Sequence, residues 1–187
     1  PGLQRFTEAI HRNGSKAAVQ LYMAGAYSFC SIKGLPILAP SQYMSYFTRQ
    51  ETTAMTLDDI ERVQQDFVKA ARRAKEAGFD AVEVLASAGY LICQFLSPKT
   101  NKREDEYGGP LENRMRFGLE TIKRVRQEVG SDMAMIVRVA GNDFVPDSHT
   151  NREARVFAAA VEEAGADCIN VTGGWHESRV PQITMDL

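Results

Sequence analysis

Four side chains suited to redox or proton-transfer chemistry lie in or just past short apolar runs: Gln20, Tyr90, Arg138 and His176. Tyr90 follows Gly89 beyond the run Ala81 to Leu85, where a phenol with an ordinary pKa of about 10 arrives neutral and can donate a proton. His176 holds the same relative place after Val171-Thr-Gly-Gly-Trp, so the two side chains can converge above one core. The competing readings are a packed aromatic with a wet hydroxyl for Tyr90 and a surface or structural histidine for His176. Arg138 sits inside Met135-Ile-Val-Arg-Val-Ala, where an unpaired guanidinium needs an anion or a strong acceptor. Gln20 places an amide in Ala18-Val-Gln-Leu-Tyr. Taken singly, either is as well explained by an internal network. Together they suit a flat heteroaromatic ligand with an amide-like edge that gains electron density.

The elements that must hold these groups repeat four times as amphipathic helix, glycine and short apolar strand. Leu3 to Arg12 ends at Gly14 and leads into a strand over Lys16 to Leu21. Ile60, Val63, Phe67, Ala70 and Ala74 share one helix face, Thr56 with Asp59 caps it, and Gly78 stops it before the strand Ala81 to Leu85. Met115, Leu119, Ile122, Val125 and Val129 repeat the pattern up to Gly130 and the strand Ala134 to Val139. Thr150 and Glu153 form a capping-box pair for the last helix, which passes Gly165 into Cys168 to Val171.

Such alternation implies an α/β fold with a parallel sheet and right-handed crossovers. Helix-to-strand connections are short, whereas strand-to-helix connections run long from Tyr22 to Met55 and from Ala86 to Pro110. A polar loop of about two dozen residues after a strand builds more than a connection. Elaboration confined to that side favours a (β/α)8 barrel, and no Gly-x-Gly-x-x-Gly follows any strand to favour a dinucleotide-binding sheet. Four strands do not close a barrel that needs eight and usually about 250 residues, so the sequence is expected to be a central piece of a longer protein. Two unpaired edges would then be covered by a partner, either the rest of the barrel or a homo-oligomer.

The run Lys99 to Glu106 carries both charge signs and is expected to be a solvated loop, with Gly108-Gly109-Pro110 a turn feeding Pro into the next helix. Arg114 and Arg116 are assigned structural roles near the start of that helix, held for an anion or for Glu112. With 22 Lys and Arg against 24 Asp and Glu, the formal charge of −2 provides no basic field for nucleic acid or an anionic membrane, so the expected partner is a small molecule. Cys30, Cys93 and Cys168 are far apart with no Cys-x-x-Cys pair, which argues against a disulfide framework, zinc or an iron–sulfur cluster within this segment. No apolar run reaches membrane-spanning length and the first residues lack the parts of a signal peptide, so a cytoplasmic location is expected.

The sequence resembles the flavin-dependent ene-reductases related to old yellow enzyme, especially the branch containing 2,4-dienoyl-CoA reductase and trimethylamine dehydrogenase. The resemblance covers essentially the whole chain. It is carried by Gly89-Tyr-Leu-Ile-Cys-Gln-Phe-Leu-Ser-Pro, by Asn101-Lys-Arg-Glu-Asp-Glu-Tyr-Gly-Gly with Leu111-Glu-Asn-Arg-Met-Arg-Phe, and by Gly174-Trp-His-Glu-Ser-Arg-Val-Pro. It implies an FMN-binding (β/α)8 barrel domain of which residues 1–187 supply about strands three to six. Gln20 then matches the glutamine at the flavin pyrimidine edge and Arg138 the arginine near flavin N1, where a cation stabilises reduced flavin. Tyr90 and His176 match the pair that protonates substrate after hydride leaves the flavin. Leu85 and Ala88 stand where many relatives carry the His-x-x-His or His-x-x-Asn that grips a carbonyl, which disfavours a simple enone reductase. Met23 and Ala26 likewise replace a histidine and an arginine. The implied activity is reduction of an activated alkene, an enoyl or dienoyl thioester or conjugated acid, with NAD(P)H as donor. The alternatives are an amine dehydrogenase or a catalytically inactive barrel fragment. A 4Fe-4S cluster and FAD, where present, would lie beyond this segment.

Overall fold

A computed structural model describes residues 2–178. Its chain order is α1 (Gly2–His11), β1 (Ala18–Leu21), β2 (Leu38–Ala39), β3 (Thr53–Ala54), α2 (Leu57–Glu76), β4 (Ala81–Ala86), α3 (Leu91–Leu96), α4 (Leu111–Val129), β5 (Ala134–Asn142), α5 (Asn151–Glu163) and β6 (Cys168–Gly173). The main sheet is parallel, in the order β1-β4-β5-β6, and β2 pairs with β3 in a separate two-stranded parallel sheet.

Helix α5 begins with the expected capping box, Thr150 with Glu153, and the N-cap expected of Thr56 with Asp59 is a capping box as well, each satisfying two otherwise orphaned N–H groups. Gly78 and Gly130 follow α2 and α4 with positive φ, a conformation glycine adopts without a Cβ penalty. The apolar stripes of α2, α4 and α5 pack with Val82, Val84 and Ala86 of β4 and with Met135, Val137 and Val139 of β5 in one core. The alternate residues Gln20, Glu83, Arg138 and Asn170 stay outside that core and face away from the helices. A sheet covered by helices on one face only is a section of a (β/α)8 barrel; a doubly wound sheet would bury both faces.

The long connections differ from the solvated loop expected of them. The segment after β4 contains α3, six residues buried on every side, and Thr100 and Asn101 are buried beyond it. Asn101 donates to the carbonyls of Phe95 and Tyr107 at 2.7 Å each. Half-buried Arg103 pairs with Asp105 and donates to the carbonyls of Pro40 and Met55, which pins the β2–β3 excursion to this loop. Pro110 is the N-cap of α4, one position earlier than the first-turn place expected. The structural role of Arg114 holds, but its partner is Glu153 of α5 at 2.5 Å, together with the carbonyls of Gly109 and Leu96, and Glu112 plays no part. Arg116 donates to the Glu106 carbonyl and Asn113. Among the described residues no helix is long and apolar enough to cross a membrane.

Candidate active site

Tyr90 and His176 are delivered by two matching strand ends. Past β4, Ala88 and Gly89 both take positive φ, 59° and 82°, before Tyr90 caps α3. Past β6, Gly174 takes φ 77° before Trp175 and His176. A parallel bridge between Ala88 and Trp175 ties the two turns together. A non-glycine residue such as Ala88 in the left-handed region costs of order 1–3 kcal/mol, a strain that surrounding contacts must hold in place. The phenol oxygen of Tyr90 lies 3.1 Å from His176 Nε2, so the pair suggested by sequence meets. His176 is exposed and Tyr90 half-buried, which sets the phenol at the mouth with a solvent-facing imidazole beside it. Burial, then the neighbouring Tyr22 phenol, pushes the Tyr90 pKa up, which keeps it protonated.

A second pair was not visible in the sequence. Tyr27, buried after β1, donates to Glu177 at 2.5 Å, and its ring meets those of Phe47, Tyr90 and His176 edge-on. Burial and the Glu177 carboxylate push its pKa upward. Its hydroxyl occupies the space a Cβ on Gly89 would need, so Gly89 answers both to its own φ and to Tyr27. Gln94, fully buried in α3, accepts from the Ala26 N–H at 3.1 Å and donates to the carbonyls of Ala24 and Gly89 at 3.2 and 2.7 Å. That one amide holds the turns after β1 and β4 against each other. Gly25 makes room for that amide, since a Cβ there would meet the Gln94 side chain.

Behind Tyr90, fully buried Asp143 accepts from Ser148 and lies 2.8 Å from His149 Nδ1 and 3.4 Å from the Cys93 thiol. The Asp143 carbonyl accepts from the Trp175 N–H at 3.2 Å, so this polar cluster anchors the turn that carries His176. Burial pushes the Cys93 thiol pKa well up, with Asp143 adding to it, so Cys93 packs as a neutral thiol.

Gln20 and Arg138 share the helix-free face of the sheet. Gln20 pairs in register with Glu83, and Leu85, two residues on, pairs with Arg138. Arg138 is half-buried and makes no hydrogen bond or ion pair among the described residues. Gln20 is not free: its Nε2 donates to Glu83 Oε1 at 2.6 Å. The residues Arg179 to Pro181 of the last motif lie outside the described residues.

Comparison with known proteins gives the same architecture. The sequence profile of the NADH:flavin oxidoreductase / NADH oxidase family matches residues 1–185. A "metal reductase" of Desulforamulus reducens is 56% identical over the whole chain, which spans 28% of that protein. A 2-naphthoyl-CoA reductase bound to 2-naphthoyl-CoA superposes with a TM-score of 0.92 and 35% identity over 97% of this chain and 30% of its own. Histamine dehydrogenase from Rhizobium sp. 4-9 superposes at 0.86 with 33% identity over 95% of this chain and 26% of its own. The chain therefore spans between a quarter and a third of these relatives.

Proposed function

This chain belongs to the NADH:flavin oxidoreductase / NADH oxidase family, and from that premise we propose that the protein carrying it reduces an activated carbon–carbon double bond. The observation that supports this reading is the Tyr90–His176 hydrogen bond at the sheet's C-terminal mouth, on a scaffold whose helix-free face presents Gln20 and Arg138. These two residues would hold FMN, because an unpartnered guanidinium and an amide fit an electron-accepting ring with an amide-like edge. When bound, FMN would supply the hydride, with NAD(P)H as its donor. Arg138 would stabilise negative charge on a ring held against it. Tyr90 protonates the carbon opposite the hydride, and exposed His176 returns a proton from solvent to the phenol oxygen. One hydride and one proton thus add across the double bond.

Leu85 and Ala88 offer no side-chain donor of the kind that grips a simple enone carbonyl, which leaves an enoyl or dienoyl thioester or a conjugated acid as the favoured substrate class. The likeness to 2-naphthoyl-CoA reductase supports a conjugated thioester. The likeness to histamine dehydrogenase supports a second reading, oxidation of an amine. The "metal reductase" name of the most identical of these three proteins adds an oxidised metal ion as a third acceptor to try. In this proposal the rest of the barrel covers the edges of β1 and β6, and any 4Fe-4S cluster or FAD lies outside residues 1–187. An anaerobic panel on the complete flavoprotein tests the reading. Conjugated thioesters should reoxidise the reduced protein; bleaching of the oxidised protein by amines, with no response to alkenes, would replace it by the amine reading. A full-length protein that takes up no FMN would leave the barrel catalytically inactive.

A further inference from the structure

Glu83 stands on the helix-free face of β4, half-buried, with two amides on its carboxylate and no cation within ion-pair distance among the described residues. Gln20 Nε2, from β1, lies 2.6 Å from Oε1. Asn170 Nδ2, from β6, reaches across β5 to Oε2 at 2.9 Å. Each carboxylate oxygen therefore takes one amide, and the three residues bridge the sheet from one edge to the other. A primary amide can present either its oxygen or its nitrogen by turning about its last bond. A carboxylate accepts and does not donate, so it admits only the nitrogen and leaves the amide oxygen to face elsewhere.

We propose that Glu83 is the positioning residue of the ligand bed, fixing Gln20 so that its Oε1 is the atom presented to the ring bound beside it. This rests on the flavin reading above and names the polarity of the contact. The pyrimidine edge of a flavin carries one N–H donor, N3, between two carbonyl acceptors. An amide oxygen held in place by Glu83 is complementary to N3–H. With the nitrogen presented instead, the contact would have to shift to a carbonyl. Glu83 touches neither the ring nor substrate in this account; it acts through Gln20.

The test is FMN affinity in apoprotein prepared from the complete flavoprotein, measured by flavin fluorescence for five forms: unsubstituted, Gln20→Ala, Glu83→Gln, the double variant of these two, and Arg138→Ala. Glu83→Gln keeps the shape and lets Gln20 turn, so it should weaken FMN about five- to tenfold, the worth of one oriented hydrogen bond. Gln20→Ala should weaken it by a similar factor, and the double variant should be no weaker than Gln20→Ala alone, because both changes remove one contact. N3-methyl-FMN should bind the unsubstituted protein about tenfold less tightly than FMN and lose most of that handicap in Glu83→Gln. Unchanged FMN affinity in Glu83→Gln beside a weakened Gln20→Ala, or additive losses, would remove Glu83 from this role. Should Glu83→Gln not fold, equal binding of FMN and N3-methyl-FMN by the unsubstituted protein would overturn the proposal by itself. Full FMN affinity in both Gln20→Ala and Arg138→Ala would instead remove the ligand bed, and the proposal with it.

Discussion

Gly89→Ala separates two demands that fall on one residue. Gly89 has φ 82° and Gly109 has φ 81°, but a Cβ at Gly109 meets no atom within 4 Å, while at Gly89 it runs into the Tyr27 ring and hydroxyl. Gly109→Ala therefore isolates the cost of a left-handed alanine, about 1–2 kcal/mol. Gly89→Ala adds the displacement of Tyr27, whose hydrogen bond to the Glu177 carboxylate is worth about 1.5–3 kcal/mol as a charge-assisted bond. The expected losses are about 1–2 kcal/mol for Gly109→Ala and about 2.5–5 kcal/mol for Gly89→Ala. Urea unfolding of the two variants side by side reads the difference from the midpoints. Because Tyr27 also packs on Tyr90 and His176, Gly89→Ala should lose turnover as well, while Gly109→Ala keeps it. Equal destabilisation by the two substitutions would refute the Tyr27 contact and its place in the site.

The pH profile follows from the raised Tyr90 pKa. An acid whose folded pKa lies above its free value stays protonated longer, so the alkaline fall in the protonation step should begin above pH about 10. A stopped-flow rate that falls well below that pH would contradict this. Glu153→Gln should destabilise the protein by about 3 kcal/mol in thermal melts, since it leaves buried Arg114 with carbonyl partners and no anion. Although its partial burial opposes the shift, the Thr150 N–H and Arg114 together hold the Glu153 pKa below its ordinary value. Its stabilisation is therefore present above the unfolded pKa of about 4.3 and lost as pH falls through the folded one. The acid limb of the stability curve should flatten in Glu153→Gln; an unchanged limb would show that the pair contributes nothing.

What the sequence disclosed was what periodicity and capping chemistry write locally. The stripe from Ile60 to Ala74, the Thr56 and Thr150 N-caps and the glycines at 78 and 130 each encode a boundary within a few residues, and each boundary is where it was expected. Helix α3 was missed because Leu91-Ile-Cys-Gln-Phe-Leu is apolar all round and six residues long, so it has no polar face to reveal a period. The two-residue strands β2 and β3 carry too little pattern to register. The meeting of Tyr90 with His176 was legible because strand ends are special places for polar groups, whereas for Gln20 and Arg138 the strand pattern gave a shared face of the sheet and not the Glu83 partner of Gln20. Tyr27 with Glu177, 150 positions apart, was not legible. Neither was the Glu153 partner of Arg114, 39 positions on, because a long-range pair leaves no local trace. Glu83 looked like an ordinary charged residue until the register set it between Gln20 and Asn170.

The most direct test of the account is one turnover of the reduced, complete flavoprotein with a conjugated thioester, followed by flavin absorbance in the unsubstituted protein and in Tyr90→Phe. General acid catalysis by a placed phenol is worth roughly 10²–10⁴-fold, so flavin reoxidation should slow by about that factor while FMN affinity stays the same. Reoxidation at an undiminished rate in Tyr90→Phe would contradict the assignment of Tyr90 as the proton donor.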